Sequence, residues 1–460
     1  MKMTYTEFFE GLRGEMVAVC GIGRNNLPVI RQLLSYGIRV RACDRRSEQE
    51  LGATAEELRR EGVELCLGDG YLDRLDDVRL ILRTPGMKPY LPPFERARER
   101  GIPVSSEMEV FFLLCPAPIY AVTGSDGKTT TTTIVAGLLE AAGRRVFVGG
   151  NIGRPLLPLI REIRPEDAAV VELSSFQLTR MTQSPHVAVV TNVAPNHLDW
   201  HTDMAEYIEA KQNLVRYQHA GDRAVLNADN AVTERFAEEA VQGQQVFRFS
   251  RRGPLEEGAW LSPERVLCMT HAGMTTPVTA ARDILLPGEH NIENYLAAIA
   301  AVWGEVPPEV IADYARRFGG VEHRCELVRT LDGVRWYNDS IGTSPSRTIA
   351  GLRSFDRRVI LIAGGYDKHI PYDPLGPVAA ETVKAAILLG ATADAIERSI
   401  RACSDLPIYR VATMEQAVQT ARRISGDGDV VFMSPASASF DLYRNFEERG
   451  QHFKRLVAAL

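Results

Sequence analysis

No apolar run in this 460-residue sequence approaches the roughly 18 residues that a membrane-spanning helix needs, so such a span is not expected. The opening residues 1–10 are polar and lack the apolar core of an export signal, which leads us to expect a protein that stays in the cytoplasm. Cysteines are few: seven, at positions 20, 43, 66, 115, 268, 325 and 403, odd in number and never spaced C-x-x-C. That pattern argues against a disulfide framework and against a cysteine-rich zinc site, and it suits a reducing compartment. Excess positive charge is missing too. With 53 Lys and Arg against 59 Asp and Glu, the net charge of −6 argues against nucleic acid as a partner. Tandem repeats of solenoid period are absent. What remains is ordinary globular composition, 45% hydrophobic and 24% charged, ample for sizeable cores. The length suits about three domains.

The most informative stretch begins with an apolar run over residues 119–122, which reads as a buried strand. It breaks into Gly124-Ser125-Asp126-Gly127, and Lys128-Thr129-Thr130 then open a helical pattern over 131–142. A helix that starts in this way aims free N–H groups and its positive dipole end at an anion. Glycines let the backbone close around a phosphate, the lysine reaches the β and γ phosphates, and the threonine hydroxyl can hold Mg2+. The full Walker pattern carries another glycine five residues before Gly127, where this chain has Val122, so the loop is a shortened G-x-x-G-K-T form. A plain glycine-rich turn is the alternative. The strand before and the helix after favour ATP.

Upstream, the strand at 16–20 leads into Gly21-Ile22-Gly23 and an amphipathic helix, and a second strand at 39–43 ends on Asp44. This is a Rossmann-like opening, although Asn26 takes the place of the third glycine, and a structural turn fits as well as a nucleotide site. A strand at 80–83 runs into Thr84-Pro85-Gly86, at the end of the sheet where such folds bind ligands. Charged helices at 47–61 and 94–100 read as solvated faces. Pro116-Ala117-Pro118 reads as a linker that closes a first domain, 1–117.

In the second domain, 118–318, a strand over 146–148 is followed by Asn151, and an apolar strand over 168–171 delivers Glu172, Ser174 and Gln177. A carboxylate there can hold Mg2+ directly or through water, as against a surface acid that merely ends a strand. The strand at 186–190 leads to Thr191, Asn192, His197 and Asp199, and His197 is either a metal ligand or plain surface. A helix over 207–217 presents Lys211, on its own terms a solvated charge. Residues 245–286 read as a small β excursion. Asn291 and Asn294 open an alanine-rich helix, where they cap it or bond a base edge. The third domain, 319–460, alternates strands and helices again. Its strand ends carry Asp339, Thr343, Lys368 and Ser439, and a charged helix covers 443–460. The expected fold is α/β in three domains: a Rossmann-like N-terminal domain, a central P-loop ATPase-type parallel sheet, and a Rossmann-like C-terminal domain.

Taken together, the G-x-x-G-K-T loop, Asn151-Ile152-Gly153, Glu172-Leu173-Ser174-Ser175-Phe176-Gln177, Asn192 with His197 and Asp199, Lys211, His290 with Asn294, and His323-Arg324 resemble the Mur ligases of peptidoglycan synthesis. The stretch from Ser434 through Ser439, Asn445, Phe446, Arg449 and Gly450 to Phe453 is similar to the D-glutamate-adding members. The motifs span essentially the whole chain in family order. The resemblance implies a cytoplasmic monomer that uses ATP and two Mg2+ ions to join D-glutamate to UDP-N-acetylmuramoyl-L-alanine through an acyl phosphate. It implies catalytic roles for Lys128, Glu172, His197 and Lys211, with Thr129, Glu172, His197 and a carbamylated Lys211 toward the metals. ATP falls to Gly124, Ser125, Asp126, Gly127, Lys128, Thr129, Thr130, Asn294, Arg324 and Asp339. The sugar nucleotide falls to Asp44, Arg45, Arg46, Thr84, Gly86, Asn151, Ser174 and Gln177. D-glutamate falls to Thr343, Lys368, Ser439 and Phe446. One departure stands out: the family pattern Asp-Ser-Lys-Ala-Thr is here Asp339-Ser340-Ile341-Gly342-Thr343, and Arg347 is the nearest substitute cation in sequence. Another amide ligase of the same superfamily, Mur-type or folylpolyglutamate-type, is the nearest alternative. A nucleotide-dependent protein without catalysis and an NAD-dependent oxidoreductase are more distant ones.

Overall fold

The computed structural model describes residues 3–23, 25–196 and 200–460, so the expectations for His197 and Asp199 lie outside the described residues. The chain divides into two compact units, Met1–Thr279 with Glu293–Ile311, and Ala280–Ile292 with Ala312–Leu460. The three-domain α/β architecture is present as three sheets, two in the first unit and one in the second.

The first sheet contains β1 (Met16–Cys20), β2 (Arg39–Asp44), β3 (Glu64–Leu67), β4 (Leu80–Arg83) and β5 (Val104–Ser105), all parallel, in the order β3-β2-β1-β4-β5. The central β1 is buried throughout, as a parallel strand covered on both faces must be. The charged stretch at 47–61 forms two helices, Glu48–Leu51 and Ala53–Arg60, because Gly52 leaves the helical region at φ +52°. Pro116-Ala117-Pro118 does not separate one core from another. Leu114, Cys115 and Ala117 lie in one apolar cluster with Phe9 on one side and Leu157 and Ile160 on the other.

The second sheet contains β6 (Ile119–Thr123), β7 (Val146–Gly150), β8 (Ala168–Glu172), β9 (Val187–Val190), β10 (Arg223–Asn227), β11 (Gln245–Ser250), β12 (Gly258–Leu261), β13 (Val266–His271) and β14 (Met274–Ala280). Its order is β14-β13-β12-β11-β10-β9-β6-β8-β7. The residues expected as an excursion thus continue the main sheet: β11 and β12 are still parallel to β10, and β13 is the antiparallel turn-back. The third sheet contains β15 (Glu326–Leu331), β16 (Val334–Asn338), β17 (Val359–Ala363), β18 (Val383–Leu388), β19 (Ile408–Arg410) and β20 (Val430–Met433), in the order β15-β16-β20-β17-β18-β19. Apolar clusters cover it, one around Leu361 and Phe432, another around Ile360, Trp336 and Phe453. The last helix is Phe446–Ala458 and starts later than the charge pattern suggests, because Asn445 accepts the Glu448 N–H as its cap. Such a cap is worth about 1 kcal/mol.

One rule places polar residues in all three sheets. Cys20 pairs with both Cys43 and Arg83, so Gly21, Asp44 and Thr84 leave the first sheet side by side. Val122 pairs with Glu172 and Thr123 with Val190, which does the same for the phosphate loop, Glu172 and Thr191. Asn338 and Ile362 both pair with Met433, aligning Asp339, Ala363 and Ser434. Carboxyl ends of parallel strands are where open α/β sheets hold ligands.

Candidate active site

The phosphate loop joins β6 to the helix Lys128–Ala141, and two of its glycines are demanded by space. A Cβ on Gly124, at φ +154°, would lie 1.8 Å from Thr191 Oγ1, and one on Gly127, at φ +79°, would lie 2.5 Å from Asn294 Oδ1. Gly124→Ala is therefore expected to cost about 2–3 kcal/mol of unfolding free energy, through backbone strain and overpacking. Urea melts read this directly, and a loss below about 0.5 kcal/mol would contradict the packing described.

Neighbouring strand ends clasp the loop. Ser125 N–H donates to Asn192 O (2.9 Å), the Asp126 N–H to Asn192 Oδ1 (3.0 Å), and Thr191 Oγ1 to Asp126 O (2.6 Å). Ser125 Oγ donates to or accepts from Tyr207 OH at 2.9 Å and lies 2.9 Å from both Ala194 N and O. Thr131 Oγ1 donates to Asn294 Oδ1 (3.1 Å), so Asn294 is tied to the first helical turns after the loop. Lys128 curls back, with Nζ donating to Gly124 O (3.0 Å) and Ser125 O (2.9 Å). Asp126, exposed, and the partly exposed Thr129 and Thr130 sit at the mouth of this loop.

Beside the loop lie two buried ionisable groups. Glu172 is 1% exposed; its Oε1 accepts from Asn151 Nδ2 (2.7 Å), and its Oε2 has no hydrogen-bond partner among the described residues. Lys211 is equally buried, on the helix Met204–Arg216, donating to Gly124 O (2.8 Å) and packed 4.7 Å from the Tyr207 ring centroid. Burial, reinforced by repulsion from Lys128, drives its pKa well below the ordinary lysine value, against a smaller pull from Asp126. Lysine on a helix is usually solvated; here the helix turns it inward, which its sequence neighbours did not signal. His201, also buried, bonds Ser175 Oγ through Nε2 (2.9 Å) and meets the Tyr207 ring edge-on. Thr191 and Asn192, legible in the sequence as the polar residues after β9, clasp the loop here, and Tyr207 and His201, to which the sequence assigned no task, support it as well.

At the end of the first sheet, Asp44 accepts from Ile22 N–H (2.7 Å) and twice from the Arg46 side chain (2.8 and 3.0 Å). Burial alone would raise its pKa; the bonds from Arg46 and Ile22 outweigh burial and hold it below the ordinary value. Asn26 Nδ2 donates to Gly21 O (2.8 Å), filling the room a third glycine would leave. Thr84 abuts Gly21, Arg45 is exposed, and Gly86 O accepts from Trp200 Nε1 (3.2 Å). Ser174 and Gln177 bond each other as a capping box on the helix Ser175–Leu178, so both already have a structural task.

In the second unit, Lys368 Nζ reaches Thr343 O and Oγ1, each at 3.3 Å. Asp339 accepts from Ser434 Oγ (2.7 Å) and Cys325 N–H (3.2 Å), and burial pushes its pKa up to about 6 against those bonds and the nearby Arg324. Ser439 is buried; Phe446 meets the His323 ring edge-on, and Phe446 O accepts from Ser340 Oγ (2.7 Å). Around Ile341 stand two guanidinium groups. Arg347 donates to Ile341 O (3.3 Å), and the buried Arg449 donates to Ser340 Oγ and O, Ser437 O and Ala438 O. Burial pushes Arg449 down to about 10.

A shortened phosphate-type loop on a mostly parallel sheet, flanked by a buried acid and a buried lysine, defines an α/β protein of the P-loop kind. Three family models match it in order: the Mur ligase MurD-like, N-terminal domain over residues 15–106, the Mur ligase middle domain over 122–302, and the Mur ligase, glutamate ligase domain over 323–437. The chain is 51% identical to the UDP-N-acetylmuramoylalanine--D-glutamate ligase of Acetivibrio thermocellus over all of both chains. It is 50% identical to the Symbiobacterium thermophilum protein of that name, over 97% of this chain and 98% of the other. The crystal structure of UDP-N-acetylmuramate-alanine ligase MurC from Thermotoga maritima shares the fold at a TM-score of 0.57 and 17% identity, covering 97% of this chain and 100% of that one. The chain belongs to the Mur ligase family.

Proposed function

We propose that this protein is an ATP-dependent ligase that joins D-glutamate to UDP-N-acetylmuramoyl-L-alanine in peptidoglycan precursor synthesis. The carrying observation is the identity of about half of all residues, end to end, with ligases of that name. A carboxylate is a poor acyl donor. ATP converts the alanyl carboxylate to an acyl phosphate with release of ADP; the glutamate amine adds to its carbonyl, and phosphate leaves as the amide forms. Such phosphoryl transfer depends on positioning and on neutralising charge that spreads over the phosphate oxygens.

Lys128 and the N–H groups of residues 124–130 grip the phosphates, with Asn294, Arg324 and Asp339 toward the rest of ATP. Mg2+, when bound, would neutralise phosphate charge; Thr129 and Glu172 would hold it first, and the Glu172 Oε2, which has no hydrogen-bond partner among the described residues, suits a hard cation. His197 and Lys211 would hold a second ion, Lys211 as its carbamate. Asp44, Arg45, Arg46, Thr84 and Gly86 hold the uridine end of the sugar nucleotide, and Asn151, Ser174 and Gln177 its muramoyl-alanine end. Thr343, Lys368, Ser439 and Phe446 take D-glutamate. Residues 1–117, 118–318 and 319–460 divide these tasks. The enzyme works in the cytoplasm as a monomer.

An amino-acid panel with UDP-N-acetylmuramoyl-L-alanine and ATP, read as phosphate release, tests donor and acceptor together. D-glutamate alone should support turnover; equal rates with another amino acid would favour a sister ligase. Ile341 is accommodated because Arg347 already reaches that segment. Ile341→Lys should shift the KM for D-glutamate less than about threefold, whereas Arg347→Ala should raise it about tenfold or more, the loss of one charged hydrogen bond. The reverse ranking would show that the family lysine has no substitute here.

A further inference from the structure

Three cysteines with no task in the proposed reaction stand in one row. Register pairs Cys20 with Cys43 and Cys43 with Cys66 across three adjacent parallel strands. Paired residues project from the same face, and all three belong to one apolar cluster with Leu72, Leu75 and Phe94. Neighbouring strands lie about 4.7–4.9 Å apart. Disulfides join Cα atoms about 4.4–6.8 Å apart, so each adjacent pair is within reach of a bond without a large backbone shift. Cys20 and Cys43 are fully buried, while Cys66 is partly open to solvent. The row ends at a ligand loop: Gly21 follows Cys20, and Asp44, which holds Ile22 N–H and Arg46, follows Cys43.

We propose that Cys66 and Cys43 are a reversible oxidation site, closed to a disulfide by hydrogen peroxide, that loosens the Asp44 loop. Cys66 is the entry because oxidant reaches it first. The Cys66 thiol gives up its proton, its thiolate attacks one peroxide oxygen as the O–O bond breaks, and the hydroxide released takes up that proton, leaving sulfenic acid and water. Cys43 sulfur then displaces hydroxide from that sulfenic sulfur, which leaves as a second water with the Cys43 proton. Two thiols give up two electrons, the peroxide accepts them, and a thiol reductant returns both sulfurs. Burial and the adjacent Cys43 raise the Cys66 pKa, which makes the site slow and suits it to sustained oxidant. The disulfide itself is independent of the ligase reading; its effect on nucleotide binding rests on Asp44 holding the uridine end.

The test uses the full chain carrying Cys403→Ser, which removes the exposed thiol. After hydrogen peroxide treatment, thiols are titrated in denaturant, peptides are mapped, and UDP binding is measured by equilibrium dialysis. The expected result is two thiols lost, a Cys43–Cys66 cross-linked peptide, UDP binding weaker by roughly tenfold, the size of one lost charged hydrogen bond, and recovery with dithiothreitol. Cys66→Ser in the same background should keep its remaining thiols. A Cys20–Cys43 link, overoxidised Cys66 without a link, or a disulfide formed despite Cys66→Ser overturns the proposal. A cross-link with unchanged UDP affinity overturns the coupling to Asp44. Failure of the untreated protein to bind UDP counts against the uridine site instead.

Discussion

Glu172→Gln is expected to reduce amide formation by about a thousandfold while leaving the protein at least as stable as before. The substitution preserves volume, and the amide oxygen can still accept from Asn151 Nδ2, so the loop geometry has no reason to change. What disappears is charge. Glu172 Oε2 is buried with no hydrogen-bond donor among the described residues, an arrangement that is costly for a carboxylate and that a bound cation would relieve. Removing the charge at a buried oxygen with no described donor relieves part of its desolvation cost. The new amide leaves an unbonded N–H group behind, a smaller cost of about 1–3 kcal/mol. Activity and stability should thus move in opposite directions in the metal-free protein. Phosphate release against Mg2+ concentration, paired with thermal melts, separates the cases. A variant that loses stability and activity together would make Glu172 a structural acid, and one that keeps a tenth of its activity would remove it from the metal site.

The sequence revealed element types and the residues at strand ends, because both depend on short-range patterns. Apolar runs closed by glycine, such as Ile119–Thr123 before Gly124, are legible as buried parallel strands. Glu172, Asp44 and Asp339 are legible because each terminates such a run. What stayed hidden depends on packing between distant segments. Lys211 is an example: Tyr207, one turn earlier on the same helix, packs against it, but the Gly124 carbonyl that meets its amine comes from the phosphate loop, far away in sequence. The prolines at 116 and 118 suggested a boundary, yet the apolar cluster crosses them, since a linker's composition says nothing about which faces later pack. Ser174 and Gln177 show the opposite hazard: a motif assigned to ligand also satisfies a local capping rule. Arg449 belongs to a recognised motif, but only the fold reveals that its guanidinium joins the Ser340 and Ser437–Ala438 backbones.

Lys211 carries the second large effect, and its test turns on proton linkage. The folded pKa lies well below that of an unfolded lysine, near 10.5, because burial and Lys128 disfavour the ammonium. Between those two pKa values the unfolded chain holds a proton that the folded chain lacks, so stability rises with pH across that window. At neutral pH the residue is therefore a net burden on folding, about 1.4 kcal/mol for each unit of depression. Lys211→Met should stabilise the protein at pH 7 and flatten this rise. Activity should fall about a thousandfold, because a neutral buried amine has a chemical use that methionine cannot supply. Free amine adds to CO2, forming a carbamate with loss of one proton, and the product offers oxygen ligands of the kind Mg2+ prefers. Carbon-13 bicarbonate should label the wild-type protein with a carbamate signal that is absent from Lys211→Met. Lys211→Ala, which leaves room for a small anion, should recover some of its activity with bicarbonate or short carboxylates. No label and no recovery would leave Lys211 as a plain buried amine bonded to the phosphate loop.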